Sequence, residues 1–133
     1  MINKRIIGRY TGDRRGPLLV IFGAMHGNET AGVYALDLLF KMLEVEPITN
    51  PKFSFKGRVI GLTGNMAAFK AGKRFIDQDL NRSWTHEILD KAFKANDNHE
   101  VSEYSEIRSI MRIIRREIQD YKPKRIAFLD SET

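Results

Sequence analysis

The sequence predicts an α/β fold, a mostly parallel or mixed sheet flanked by helices, and three observations carry that expectation. Apolar β-like runs at Ile6-Ile7, Leu18–Phe22, Arg58–Thr63 and Ile126–Asp130 are separated by stretches in which apolar residues recur at helical spacing. Strands that alternate with helices form a sheet covered by those helices. The chain has 133 residues and is 42% apolar, enough for one compact core and too little for two ordinary domains. No internal repeat, low-complexity tract or linker divides it, so residues 1–133 are expected to form a single domain.

Ile6-Ile7 and Leu18–Phe22 read as strands joined by a turn from Gly12 to Pro17, where Gly and Pro cluster. From Thr30 to Leu43, Val33, Leu36, Leu39, Phe40 and Leu43 mark one helix face, and Pro47, Asn50 and Pro51 are expected to break the helix. Arg58–Thr63 forms the next strand, ending at Gly64-Asn65, and a polar connection runs from Lys70 to Ser83. Ile88–Ala95 is expected to be helical, with a loop at Asn96-Asp97-Asn98. The strongest signal spans Ser102–Tyr121, where Tyr104, Ile107, Met111, Ile114, Ile118 and Tyr121 step by three and four. Ser102 suits the N-cap and Pro123 ends the helix, after which Lys124–Asp130 closes the chain as a strand.

Net charge is +5 with a pI near 9.6, much of it from Arg108, Arg112, Arg115, Arg116, Lys122, Lys124 and Arg125. A solvated basic helix face accounts for this run. Nucleic acid is not the expected partner, because only Tyr104 and Tyr121 interleave with the cations. A small acidic partner fits the charge. No apolar run approaches the roughly 20 residues of a membrane span, and Met1-Ile2-Asn3-Lys4-Arg5 lacks the apolar core of a signal peptide. Cysteine is absent, which excludes disulfides and thiolate chemistry. A cytoplasmic location with no membrane partner is the resulting expectation.

Two stretches carry chemistry. In "VIFGAMHGNETAG", Val20–Gly32, His26 and Glu29 sit on a Gly-rich turn between a strand and a helix, where α/β proteins place their sites. Zinc takes imidazole nitrogen and carboxylate oxygen, and a His-x-x-Glu on such a turn can aim both at one point. Spacing alone leaves a second reading: Asn28 or Thr30 caps the helix, Glu29 complements its dipole and His26 is incidental. The second stretch, "RFIDQDLNR", concentrates Arg74, Asp77, Asp79, Asn81 and Arg82. Arginines beside an asparagine suit a substrate carboxylate, bound through forked, charge-assisted hydrogen bonds.

Together, "HGNE" followed downstream by "RFIDQDLNR" resembles the succinylglutamate desuccinylase/aspartoacylase family, relatives of the zinc carboxypeptidases. The resemblance implies a zinc-carboxypeptidase-like fold, truncated here, in which one zinc ion is bound by His26 and Glu29. It implies that Arg74, Asn81 and Arg82 hold a small acidic N-acyl amino acid, with Arg74 also stabilising the charge on its carbonyl, and that Asp79 orients a neighbouring ligand. The family's third zinc ligand is a histidine in an Asp-Leu-His-x-Thr pattern; here the strand "IAFLD" runs into "SET", which puts Glu132 at that position. The family's catalytic glutamate lies further downstream. The expectation is therefore a zinc-dependent deacylase that is incomplete or inactive as this chain. The alternative is a non-catalytic carboxylate-binding module without the metal. An uncovered sheet edge would also favour a homo-oligomer.

Overall fold

The computed structural model describes residues 4–94 and 101–131. Met1-Ile2-Asn3, the Asn96-Asp97-Asn98 segment and Glu132 lie outside the described residues. Four strands, β1 (Ile6–Thr11), β2 (Arg14–Gly23), β3 (Lys56–Thr63) and β4 (Ile126–Asp130), form one sheet in the order β1-β3-β2-β4. β1 runs antiparallel to β3, whereas β3 and β4 both run parallel to β2, so the sheet is mixed. Helix α1 (Ala31–Thr49) covers one face; α3 (His86–Lys94) and α4 (Ser102–Tyr121) cover the other, and the short α2 (Met66–Ala71) follows β3.

Alternation along β2 builds both cores. Leu18, Val20 and Phe22 pack with Ile107, Ile110 and Ile114 of α4, while Ile21 joins Val33, Leu36, Phe40 and Leu43 of α1. Phe40 reaches the sheet only because Gly8 and Gly61, paired across β1 and β3, leave room: a Cβ on either would come within 2.3 or 2.7 Å of its ring. β4 is the contrasting element. It pairs with β2 alone among the described strands, and Phe128 and Leu129 are more than half exposed. No helix of the described residues is long and apolar enough to cross a membrane.

Several boundaries differ from the sequence-based expectation for physical reasons. β2 starts at Arg14, inside the expected Gly12–Pro17 turn, because the register shift between the Arg14↔Lys56 and Leu18↔Arg58 pairs absorbs Gly16 and Pro17 without requiring an N–H from the proline. α1 runs through Pro47 to Thr49 instead of breaking there. Pro47 removes one donor near an exposed helix end, and the Asn50 N–H closes the helix on the Glu46 carbonyl at 2.9 Å. The residue before α4 in cap position is Val101, not Ser102. The Ser102 N–H instead donates to the Asp77 carboxylate at 2.7 Å, so the cap comes from another segment.

The buried face of α4 is not purely apolar. Glu103, Glu106 and Glu117 lie in it, while Ile118 is partly exposed. Glu117 takes both donors of Arg9, at 2.7 and 2.9 Å, and the Tyr121 ring is flanked by the guanidinium groups of Arg15 and Arg58, 4.3 and 4.6 Å from its centroid. Most of the basic run is solvated as expected. Arg108 is the exception: it donates to the Ala92 carbonyl at 2.7 Å in the last turn of α3.

Candidate functional site

His26 follows the C-terminal end of β2, where the parallel strands point. The chain leaves the strand through Ala24, whose φ of 55° is the left-handed region that a non-glycine residue rarely adopts. That bend is held by the Gly64 and Asn65 N–H groups, which donate to the Gly23 and Ala24 carbonyls at 2.7 and 2.8 Å. Gly27 then lets the turn lie against α2: a Cβ there would come 2.2 Å from the Ala68 carbonyl carbon. The Gly27 N–H donates to the Arg74 carbonyl at 3.0 Å, joining the turn directly to the second motif.

The loop from Arg74 to Arg82 is anchored from below. Leu80 is fully buried in the core beneath it, so its neighbours Asp79 and Asn81 are set at the loop's surface. Asp79 starts a 3-10 turn, Leu80–Arg82, and accepts from the Asn81 N–H at 3.0 Å. The Ser83 hydroxyl donates to the Asp79 carbonyl at 2.7 Å. The Asp79 oxygen that accepts from Asn81, Oδ1, also lies 2.9 Å from His26 Nε2, and Oδ2 lies 3.9 Å from Arg82 Nε.

The His26–Asp79 contact fixes what the imidazole can do. A carboxylate oxygen accepts, so Nε2 is the donor, and in the neutral ring Nδ1 then carries the lone pair. Nδ1 faces Glu29 Oε1 at 3.5 Å. In the neutral ring these are two facing acceptors, which a bridging water, a second proton on the ring or a shared cation would satisfy. Two donors each about 2.1 Å from a shared tetrahedral ion stand about 3.4 Å apart, so the pair suits two corners of a zinc site. A carboxylate on the far nitrogen of a metal-binding histidine is also the usual orienting arrangement. Among the described residues there is no group of three or more His, Asp or Glu side chains placed to hold a metal.

The expected site residues are therefore brought together unequally. His26, Glu29 and Asp79 converge. Arg74 approaches Glu29, with Nη1 3.8 Å from Oε1, but its side chain is half exposed. Arg82 is 86% exposed and Asn81 is exposed, both at the rim. Thr30 occupies the cap position of α1 without a side-chain cap bond, which removes its share of the helix-capping reading, and Glu29 lies before the helix.

Glu103 and Asn65 were missed. Glu103 is completely buried and accepts from the N–H groups of Ile76, Asp77 and Gln78 at 2.8, 2.9 and 2.9 Å, and from Asn65 Nδ2 at 2.8 Å. Burial pushes its carboxyl up, but the bonds from Asn65 and the three amides outweigh this and hold it below the usual glutamate range. Asn65 is buried as well and caps α2 by accepting from the Ala68 N–H at 3.2 Å. The available signal was positional: Glu103 lies on the same helical stripe as Ile107, Ile110 and Ile114, where a charge demands partners.

The chain is similar to several known proteins. The family model for the succinylglutamate desuccinylase/aspartoacylase catalytic domain matches residues 15–122. Succinylglutamate desuccinylase of Pseudomonas putida is 35% identical over 91 residues, covering 67% of this chain and 25% of that protein. The N-acyl-aromatic-L-amino acid amidohydrolase (carboxylate-forming) of Xenopus laevis is 36% identical over 89 residues, covering 67% and 27%. The X-ray structure of succinylglutamate desuccinylase from Vibrio parahaemolyticus superposes with a TM-score of 0.61 at 20% identity, covering 88% of this chain and 35% of that one, and shows the same fold. The chain thus spans about a quarter of the length of the curated relatives it matches. On the family match across both motifs, this chain belongs to the succinylglutamate desuccinylase/aspartoacylase family.

Proposed function

We propose that this chain supplies the metal-binding turn and the carboxylate-binding loop of a zinc-dependent hydrolase of small acidic N-acyl amino acids. The observation that carries the reading is the His26 imidazole, held through Nε2 by Asp79 at 2.9 Å with Nδ1 turned to Glu29. His26 and Glu29 would hold the zinc, and Glu132, the sequence's candidate for a third ligand, lies outside the described residues. When bound, zinc supplies polarisation of an acyl carbonyl and lowers the pKa of a bound water toward about 7.

The remaining chemistry belongs to the chain's own side chains. Arg74, whose Nη1 lies 3.8 Å from Glu29, would stabilise negative charge that develops on the acyl oxygen. Arg82 and Asn81, at the rim, take the substrate carboxylate through charge-assisted hydrogen bonds. Asp79 keeps the imidazole in the tautomer that leaves Nδ1 free. We assign no general base within this set, so these 133 residues alone are expected to turn over weakly or not at all. Strong metal-dependent deacylation by them would contradict that assignment.

A second reading draws on the donor set: with no group of three metal-binding side chains among the described residues, a carboxylate-binding module that needs no metal also uses Arg74, Asn81 and Arg82. Calorimetric titrations with zinc and with N-succinyl-L-glutamate separate the two. The deacylase reading expects saturable zinc binding that His26→Ala abolishes, and tighter binding of the acyl amino acid when zinc is present. Zinc binding unchanged by His26→Ala contradicts it, and acyl amino acid binding that ignores zinc favours the second reading.

A further inference from the structure

Glu103 has no role in the chemistry above, yet its carboxylate makes four hydrogen bonds in the interior. Three of its donors are consecutive backbone N–H groups, Ile76, Asp77 and Gln78, immediately before Asp79. The loop answers in kind: the Asp77 carboxylate accepts the Ser102 N–H at 2.7 Å and so caps the N-terminus of α4, the helix that carries Glu103. Each segment thus satisfies the other's unpaired amides, as a capping box does within one helix.

We propose that Glu103 is a positioning residue for the candidate metal site, setting the tautomer of His26 through the backbone of residues 76–78 and the carboxylate of Asp79. Three consecutive amides aimed at one buried anion fix the path of the chain at the point where Asp79 leaves it. Asp79 in turn has one oxygen on His26 Nε2 at 2.9 Å and on the Asn81 N–H at 3.0 Å, so a shift in the loop is passed directly to the imidazole. A helix buried against the core is a rigid support for a polar loop, and an ionised carboxylate is a stronger acceptor than an amide. The only loop side chain that is fully buried, Leu80, pins the far side of Asp79, which leaves residues 76–78 as the segment that needs a second anchor. This deepens the proposed metal site, but its test needs no metal.

The test compares Glu103→Gln with Glu117→Gln. Both replace a buried, hydrogen-bonded glutamate on the same face of α4, but Glu117 serves Arg9, away from the site. The ring nitrogens of His26 are read by 15N NMR without metal, together with amide exchange of residues 76–78. Glu103→Gln is expected to move His26 from the single Nε2–H form to a mixture of tautomers. It should also speed exchange of the three amides by about tenfold or more, the worth of one hydrogen bond to a charged group. Glu117→Gln is expected to do neither, even where it lowers Tm as much. An unchanged His26 signature in Glu103→Gln, or the same loss in Glu117→Gln, overturns the proposal. If Glu103→Gln does not fold, the wild-type chain decides: amides 76–78 should be protected as strongly as those around Ile107, and exchange at exposed-loop rates overturns it. Failure of the zinc reading would show in zinc titrations and leave these signals in place.

Discussion

His26 and Arg82 belong to one candidate site and are held in opposite ways. His26 is 9% exposed, follows a strand end, and has a carboxylate 2.9 Å from Nε2. The Arg82 side chain is 86% exposed, and its nearest acid, Asp79, is 3.9 Å away. The same division runs through the rest of the set: Asp79 sits on a backbone anchored by Leu80 and Glu103, while Arg74 reaches Glu29 only at 3.8 Å from a half-exposed position. The His26–Asp79 pair is therefore organised by the fold before any ligand arrives, whereas the Glu29 side chain, 39% exposed, is held only at 3.5 and 3.8 Å. Arg74 and Arg82 are long, exposed cations that the fold holds loosely, since an exposed ion pair at such distances contributes little by itself.

Substitutions can break this division, and the largest effect belongs to His26. His26→Ala should abolish zinc binding measured by calorimetry while circular dichroism shows the native fold, because the turn rests on Gly27 and on backbone bonds from Gly64 and Asn65. Unfolding of the variant would make His26 a structural residue and erase the distinction. Asp79→Ala comes next. Removing the partner of a metal-binding histidine typically costs about 10- to 100-fold in metal affinity, and that range is expected here in competition with a chelator.

Arg74→Ala and Arg82→Ala probe the other half. Each should leave stability within about 0.5 kcal/mol of wild type, as for exposed positions generally, which thermal unfolding would check. Each should weaken binding of N-succinyl-L-glutamate by about tenfold, the scale of one charge-assisted hydrogen bond. A large loss of stability in either variant would place that arginine in the fixed half.

The smallest effect is a dependence on pH. Glu103 has its carboxyl held below the ordinary value of 4.5, so it contributes stability at neutral pH. That contribution should drain away as pH falls through 4.5 and below, when the folded chain must protonate it. Amide exchange at Ile76, Asp77 and Gln78 should accelerate in that window before the β2 and β3 amides do. Simultaneous acceleration everywhere would mean that the loop has no separate anchor.

How much of this the sequence could disclose depends on where the signal resides. The span of α4, Ser102–Tyr121, was legible to the residue because a long amphipathic period ends at Lys122-Pro123. The core of β2, Leu18–Phe22, was legible as an apolar run, but its first residues were not, since Gly16 and Pro17 are turn residues everywhere except at an irregular register such as this one. That His26, Glu29 and Asp79 come together was legible because their motifs are local. Glu103 was not. Its role exists only through contacts with residues 65 and 76–78, and a glutamate on a helix reads as surface until the packing is known. The cap of α4 was hidden for the same reason, because Asp77 supplies it from another segment.

The most direct test of the site follows both ring nitrogens of His26 by 15N NMR during a zinc titration. Asp79 holds Nε2 and Glu29 faces Nδ1, so Nδ1 should shift saturably to the metal-bound position while Nε2 stays protonated throughout. A saturable shift at Nε2 instead, or none at either nitrogen, would contradict a metal site built from His26 and Glu29.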